Sequence, residues 1–370
     1  MTAVPFADFK AQVAALRPEL NAAIARVLDS GWFILGSEGE AFERELARAL
    51  EAKDAVAVAN GTEAIQLALQ ALGIRQGDEV VTSPLTAAFT GLAILAAGAR
   101  PVFADVDPVT LNISPEAMRR AVTPRTGALV PVHLYGHPAD LDPMLELARE
   151  RGIPLIEDAC QAHAAIYKGR PVGALSGIGA LSFYPTKNLG ALGDGGAVLV
   201  NDPSLAARLR QLRNGGQSDR YRHEIPGINS RLDELQAAIL RVKLQHLPAH
   251  TERRRTLARL YLEALQGSGV QLPEEQAYAR AVYHLFVIRH PKRDALQAEL
   301  QERGVGTLIH YPIPLHLQPA FATLGGRPGD FPVAEKAAAE ILSLPMYPEL
   351  TDAQAHTVCE AVRGAVAALA

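Results

Sequence analysis

From residue 55 to about 200, short and almost uninterrupted apolar runs alternate with longer stretches of helical spacing. "AVAVA" (55–59) leads into "TEAIQLALQALG", and "EVVTS" into "TAAFTGLAILAAG". "RPVFADV" and "ALVPVHLYG" come next, then the helical "LDPMLELARERG", then "IPLIEDA", "ALSFYPT" and "GAVLV". A strand with one wet face alternates apolar and polar residues. These runs do not, so they read as parallel strands covered on both faces. Strand–helix alternation of this kind predicts an α/β domain with right-handed crossovers.

The pattern changes after about residue 201. "PSLAARLRQLRN" reads as a helix and "QSDRYRHEIPGINS" as a loop. "DELQAAILRVKLQHL" and "TERRRTLARLYLEALQG" read as two amphipathic helices. "AVYHLFVIRH" is a strand, residues 293–303 a helix, "HYPIPLHLQPAF" a Pro-rich connector, and two more helices close the chain. A second, smaller domain is expected from about residue 250, giving domains 1–249 and 250–370. A chain of 370 residues is long enough for both.

Composition narrows the classes. With 48% hydrophobic and 21% charged residues, the chain is globular rather than disordered. The net charge of −4 argues against nucleic acid or an anionic membrane as the main partner. Two cysteines, Cys160 and Cys359, make neither a disulfide framework nor a zinc cluster, so a reducing cytoplasm is expected. "MTAVPFADFK" has no basic segment followed by an apolar core, and no apolar run reaches a membrane span.

Candidate chemistry gathers at strand ends, where open parallel sheets bind ligands. "AVAVA" runs into Asn60-Gly61-Thr62 and a helix. "IPLIE" runs into Asp158, with Gln161 and His163 beyond it. "ALSFY" runs toward Lys187, with Ser182 close by. Each has an ordinary reading: a helix cap, a structural ion pair, a lysine on a glycine-rich turn. "GALGDGG" matches neither a P-loop nor a dinucleotide fingerprint. Taken together, however, a lysine, an acid and a helix N-terminus are the three contacts that pyridoxal phosphate needs. The lysine forms a Schiff base, the acid keeps the pyridinium protonated, and the helix end holds the phosphate. A metal is not expected, because no second His or Cys stands at ligand spacing from His163.

Four motifs, "NGTEAIQLAL", "EDACQAH", "SFYPTKNLGALGDGG" and "GINSRLDELQAA", resemble the DegT/StrS-type aminotransferases, which act on nucleotide-linked keto-sugars with pyridoxal phosphate. The likeness runs from "SGWFILGSEGEAFE" (30–43) to "HYPIPLH" (310–316). It implies the aspartate aminotransferase-like α/β fold (fold type I). That fold has a three-layer αβα large domain with a mostly parallel sheet, and a smaller α+β C-terminal domain. Lys187 matches the Schiff-base lysine and Asp158 the acid under the pyridine nitrogen. Gln161 matches the residue near the phenolic oxygen, and Gly61, Thr62 and Ser182 match phosphate contacts. Asn229 matches a phosphate ligand supplied by the neighbouring subunit, which implies a homodimer with shared sites. Tyr184, His163, His310, Tyr311 and His316 are expected near the sugar nucleotide. Arg220, Tyr221 and His223 are expected to reach a neighbour's substrate. The amino donor implied is glutamate.

Two departures stand out. The family places an aromatic over the cofactor where this chain has Ala87, and Phe89 lies two positions on; either Phe89 still stacks or it belongs to the core. Cys160 stands where the family commonly has Ala. "SFYPTKNLGALGDGG" and "PVHLYG" look like the subgroup that makes 3-amino sugars, so amination at C3 is expected, with a 4-keto sugar the alternative. Lys187 argues against a sugar dehydratase, which carries His there. A cofactor-binding regulator without turnover is a more distant alternative.

Overall fold

A computed structural model of the chain describes residues 3–369. Helices α1 (Phe9–Ser30) and α2 (Ser37–Ala49) precede the first strand, Asp54–Val58. Helix and strand then alternate: α3 (Gly61–Ala71), Glu79–Thr82, α4 (Ala88–Ala96), Arg100–Phe103, α5 (Pro115–Ala121), Thr126–Val130, α6 (Leu141–Arg151) and Glu157–Asp158. The strands Ile178–Ser182 and Gly196–Val200 lead to α7 (Pro203–Leu212) and α8 (Glu234–Leu265). The C-terminal part holds the strand Phe286–Arg289, α9 (Arg293–Glu302), α10 (Pro332–Glu340), the strand Ile341–Leu344 and α11 (Asp352–Leu369). No described helix is long and apolar enough to cross a membrane.

The seven strands of the first part lie side by side. Arg100–Phe103, Glu79–Thr82 and Thr126–Val130 pair in parallel. Single bridges, Leu129 to Leu155 and Val132 to Asp158, join them to Glu157–Asp158, which pairs in parallel with Ile178–Ser182. Gly196–Val200 lies antiparallel between Ile178–Ser182 and Asp54–Val58. Six strands therefore point the same way and their carboxyl ends share one edge.

Alternate residues of each strand feed two cores. Ala55, Ala57, Ala197 and Leu199 pack with Phe42 of α2, Met118 of α5, Met144 of α6 and Leu240 of α8. Val56, Val58, Val198 and Val200 pack with Ile65 of α3, Ile94 of α4 and Leu209 of α7. The result is the expected helix–sheet–helix sandwich. One expectation fails within it: "GAVLV" is as apolar as its neighbours yet runs antiparallel. An uninterrupted apolar run reports burial of both faces, not strand direction.

Other differences have local causes. "ALVPVHLYG" is strand only to Val130, and its end is a 3₁₀ turn, Leu134–Gly136, with Tyr135 at φ 59°. The expected loop after α7 carries a short hairpin, Gln217–Asp219 with Arg222–His223. A strand, Ile341–Leu344, separates the last two helices and pairs antiparallel with Phe286–Arg289.

The expected boundary at 249/250 falls inside α8, which continues through Pro248. A proline inside a helix loses one backbone hydrogen bond, and here packing on both sides carries the helix across. Leu240 and Leu244 belong to the first core, whereas Leu257, Tyr261 and Leu265 belong to the C-terminal one with Phe286, Leu296, Val358 and Val362. The chain start also crosses over. Val4 bridges to Val305 and sits in the C-terminal core rather than with the large domain.

Candidate active site

The shared strand edge opens into a cavity of about 1040 Å³. Beyond Val58, Asn60 caps α3, its Oδ1 accepting from the Glu63 N–H at 2.9 Å. The N–H groups of Gly61 and Thr62, in the first turn, have no acceptor within the described residues and line the cavity. A helix start of this kind is a ready anion site. Gly61 is needed for space: a Cβ there would stand 2.6 Å from Ser182 Cβ and 3.0 Å from Cys160 Sγ.

The neighbouring acids of "ED" part company because successive strand side chains point to opposite faces. Glu157 turns away, 3.2 Å from His133 Nε2, and accepts from the N–H groups of Gly173 and Ser176 at 2.6 and 2.7 Å. Asp158 faces the cavity. It is 3% exposed and accepts from the Thr90 hydroxyl at 2.8 Å and the Cys160 N–H at 3.2 Å. Both donors are neutral, and no described basic side chain lies within 4 Å of its carboxylate. A buried carboxylate held this way still calls for a positive partner.

Lys187 ends the run from Ile178–Ser182, its N–H bonded to the Tyr184 carbonyl at 2.8 Å. Burial holds its amine below the ordinary lysine range, against the opposing pull of Cys160 and Asp158. An uncharged amine is the nucleophilic form. Burial likewise pushes the Cys160 thiol well up.

Gln161 is fixed from both ends. Its Oε1 accepts from the Tyr135 N–H at 2.7 Å, and its Nε2 donates to the Tyr311 hydroxyl at 3.0 Å. Tyr135 also donates to the His310 carbonyl. His310 bonds Ser343 Oγ at 2.9 Å, and burial, helped by Lys187, pushes its imidazole down to about 4. Phe89, in the first turn of α4, lines the cavity at 63% exposure, and Tyr184 does so at 53%. Phe89 is thus a wall residue and not core.

Several expected substrate residues lie elsewhere. His163 does not line the cavity. It is fully buried against Phe183 with both ring nitrogens unpartnered, and burial, with Lys187 nearby, pushes it down to about 3. Its turn follows Gln161 closely, but Ala162 and Ala165 carry that segment into the core. His316 is also off the cavity: it bonds Glu335 at 3.0 Å and packs on Phe331, tying the 3₁₀ turn Leu315–Leu317 to α10. Arg220, Tyr221, His223 and Asn229 lie on the exposed hairpin and its return, away from this chain's cavity.

Conversely, Thr90, His284 and Arg254 line the cavity without having been singled out. No sequence signal marked Thr90; its bond to Asp158 spans 68 residues. His284 and Arg254 fall within runs that read as a strand and an amphipathic helix.

An anion cradle at a helix start, a buried carboxylate lacking a cation and an amine whose proton affinity burial lowers fit the phosphate, the ring nitrogen and the aldehyde of pyridoxal phosphate. Comparison with known proteins agrees. The model of the DegT/DnrJ/EryC1/StrS aminotransferase family matches residues 14–363. The chain is 50% identical to the dTDP-3-amino-3,4,6-trideoxy-alpha-D-glucose transaminase of Streptomyces venezuelae, over 97% of this chain and 95% of that one. It is also 50% identical to the erythromycin biosynthesis sensory transduction protein EryC1 of Saccharopolyspora erythraea, over 98% and 100%. The X-ray structure of S. venezuelae DesV in complex with a ketimine intermediate superposes with a TM-score of 0.97 at 50% identity, covering 99% of each chain.

Proposed function

Because the chain belongs to the DegT/DnrJ/EryC1/StrS aminotransferase family, we propose that it moves an amino group from an amino acid, glutamate by preference, to C3 of a nucleotide-linked 3-keto sugar. It is an aminotransferase that depends on pyridoxal phosphate. The observation that carries the reading is the placement of Lys187, its amine held below the ordinary lysine range by burial, in one cavity with Asp158 and the α3 N-terminus. The C3 assignment is supported by the 50% identity to a 3-amino-sugar transaminase.

Bound pyridoxal phosphate supplies the carbonyl that captures the donor's amine and a ring that takes up the electron pair left by the departing α-proton. Gly61, Thr62 and Ser182 would hold its phosphate, Asp158 its ring nitrogen and Gln161 its phenolic oxygen. Phe89 would cover a ring face. Lys187 Nζ would carry the cofactor between turnovers and take the donor's α-proton once released. Tyr184, His310 and Tyr311 line the same cavity and would orient the sugar. Water is kept from Asp158 by its burial.

Gly61→Ala tests the cradle. Its Cβ would collide with Ser182 and displace one charge-assisted hydrogen bond, so the cofactor Kd should rise at least about tenfold. Titration of the apoprotein, followed by visible absorbance, reads this directly; an unchanged Kd would remove Gly61 from the cradle.

We further propose a cytoplasmic homodimer with shared sites. Trp32, Phe33 and Leu35 are 62%, 48% and 38% exposed, and Tyr221 is 81% exposed on the hairpin. Such a surface suits a second copy. Asn229, Arg220, Tyr221 and His223 would then serve the neighbour's site. Mixing inactive Lys187→Ala subunits with inactive Asn229→Ala subunits should restore part of the activity; verified mixed dimers without recovery would count against sharing.

The substrate is tested by comparing kcat/KM for matched 3-keto and 4-keto sugars on the same nucleotide, with NMR locating the new nitrogen. At least about a tenfold preference for the 3-keto compound is expected, roughly 1.4 kcal/mol. The opposite preference would move the reaction to C4. Failure of the half-reaction with glutamate would favour a sensory role, the one named for EryC1.

A further inference from the structure

We propose that Lys243 is a positioning residue that clamps the catalytic-lysine loop, at Gly190, to the N-terminal helix, at Gln12. The proposal rests on the assignment of Lys187 above.

Lys243 lies on α8 and is 5% exposed. Its Nζ donates to the Gly190 carbonyl at 2.7 Å and to Gln12 Oε1 at 2.9 Å. No described carboxylate lies within 4 Å of it. Glu349, outside that range, is the acid that acts on it, and His246, His250 and Arg254 follow it on the same helix three, seven and eleven residues on. A buried ammonium without an acid partner is costly. Methionine would fill the same volume without that cost, so what lysine adds is its directed N–H donors.

Those donors act on a backbone carbonyl that no other described group reaches. Gly190 is buried three residues after Lys187, and a Cβ there would stand 2.4 Å from the Pro185 carbonyl oxygen. The loop thus folds back on itself with no room to slide. Around it, Asn188 donates to the Val282 carbonyl at 3.0 Å, Ala191 N–H to the Phe183 carbonyl at 2.7 Å, and Leu192 N–H to Gln236 Oε1 at 2.9 Å. Without Lys243 the buried Gly190 carbonyl loses its partner. The second arm ends on Gln12, which lines the cavity. One side chain therefore ties the backbone behind Lys187 to the cavity wall built by the chain start. Burial pushes the amine down to about 8, but a neutral amine keeps two hydrogens, so the clamp holds in either state.

The function is steadiness. Lys187 must leave and rejoin its partner atom while its backbone stays fixed, because small misplacements cost large factors in rate.

Lys243→Met removes both donors and the buried charge while keeping the length. In the holoenzyme, Tm should be unchanged or higher, whereas kcat should fall about tenfold with KM for the amino donor nearly constant. Hydrogen exchange across residues 188–196 should quicken in apo and holo protein alike. A purely structural lysine would leave kcat alone, whatever Tm did. Gln12→Leu frees only one arm: exchange across 9–14 should quicken while 188–196 stays protected. If Lys243→Met does not accumulate, Gln12→Leu decides, with kcat expected to fall at least about threefold at unchanged Tm. Wild-type kcat in the deciding variant overturns the clamp. The exchange readout does not depend on which lysine carries the cofactor, so it fails separately from the Lys187 assignment.

Discussion

Replacing Lys187 by alanine should leave a folded protein that still takes up pyridoxal phosphate but turns over at least about 10⁴-fold more slowly. Removal of a proton-transfer group alone reaches that scale, and this amine also serves as nucleophile. The phosphate contacts at Gly61, Thr62 and Ser182 lie on other elements, so binding should survive in weakened form. The measurement has two parts. Borohydride should fix the cofactor of the wild-type protein to the peptide containing Lys187, and the variant should lose both this label and steady-state transamination. A label on any other lysine would sink the assignment. The depressed amine makes this lysine the best candidate: Lys243 is also held low, but its amine is already engaged, donating to the Gly190 carbonyl and to Gln12 Oε1.

Asp158→Asn should come next in size. Thr90 and the Cys160 N–H already hold the carboxylate in place, and the amide is close in shape, so the fold should persist. What is lost is the negative charge in a buried site. Removing one partner of a buried charge pair costs about 3–5 kcal/mol, so kcat should fall between about 10²- and 10⁴-fold. Glutamate half-transamination, followed by the change in visible absorbance, isolates the first half of the reaction. An asparagine variant within tenfold of wild type would mean that the ring nitrogen finds its charge elsewhere. Thr90→Val should act in the same direction and more weakly, because it removes a neutral donor and leaves the charge.

The two central residues were legible because each ends an apolar run. Glu157 ends the same run as Asp158 and turns away to His133, so it was a lysine, an acid and a helix start together at strand ends, not any one of them, that pointed to the cavity. Gly61-Thr62 was legible for the same reason, as a helix start at a strand end. Strand direction was not, since burial of both faces looks alike in parallel and antiparallel neighbours. The two helical runs read on either side of Pro248 are one helix, because a local breaker can be overridden by cores on both flanks. His163 stands two residues past Gln161 yet turns inward, and a turn's exit direction is not written in spacing alone. Thr90 and Lys243 were illegible for a different reason. Each acts on a residue far along the chain, and in isolation each looks like an ordinary helix residue.

The placement of Val4 has a consequence for how the protein is made. Its N–H donates to the Gly304 carbonyl at 2.8 Å, and its carbonyl accepts from the Gly306 N–H at 2.9 Å. During synthesis the sheet strands through Val200 can pair as they emerge from the ribosome. Val4 cannot settle until some three hundred residues beyond it have been added, and long-range closures of this kind are slow. The segment Phe6–Gln12, which walls the cavity, hangs from that same late contact. The nascent protein therefore acquires its sheet early and its finished cavity only after residues 304–306 are made, so that one wall is set long after its own residues were added.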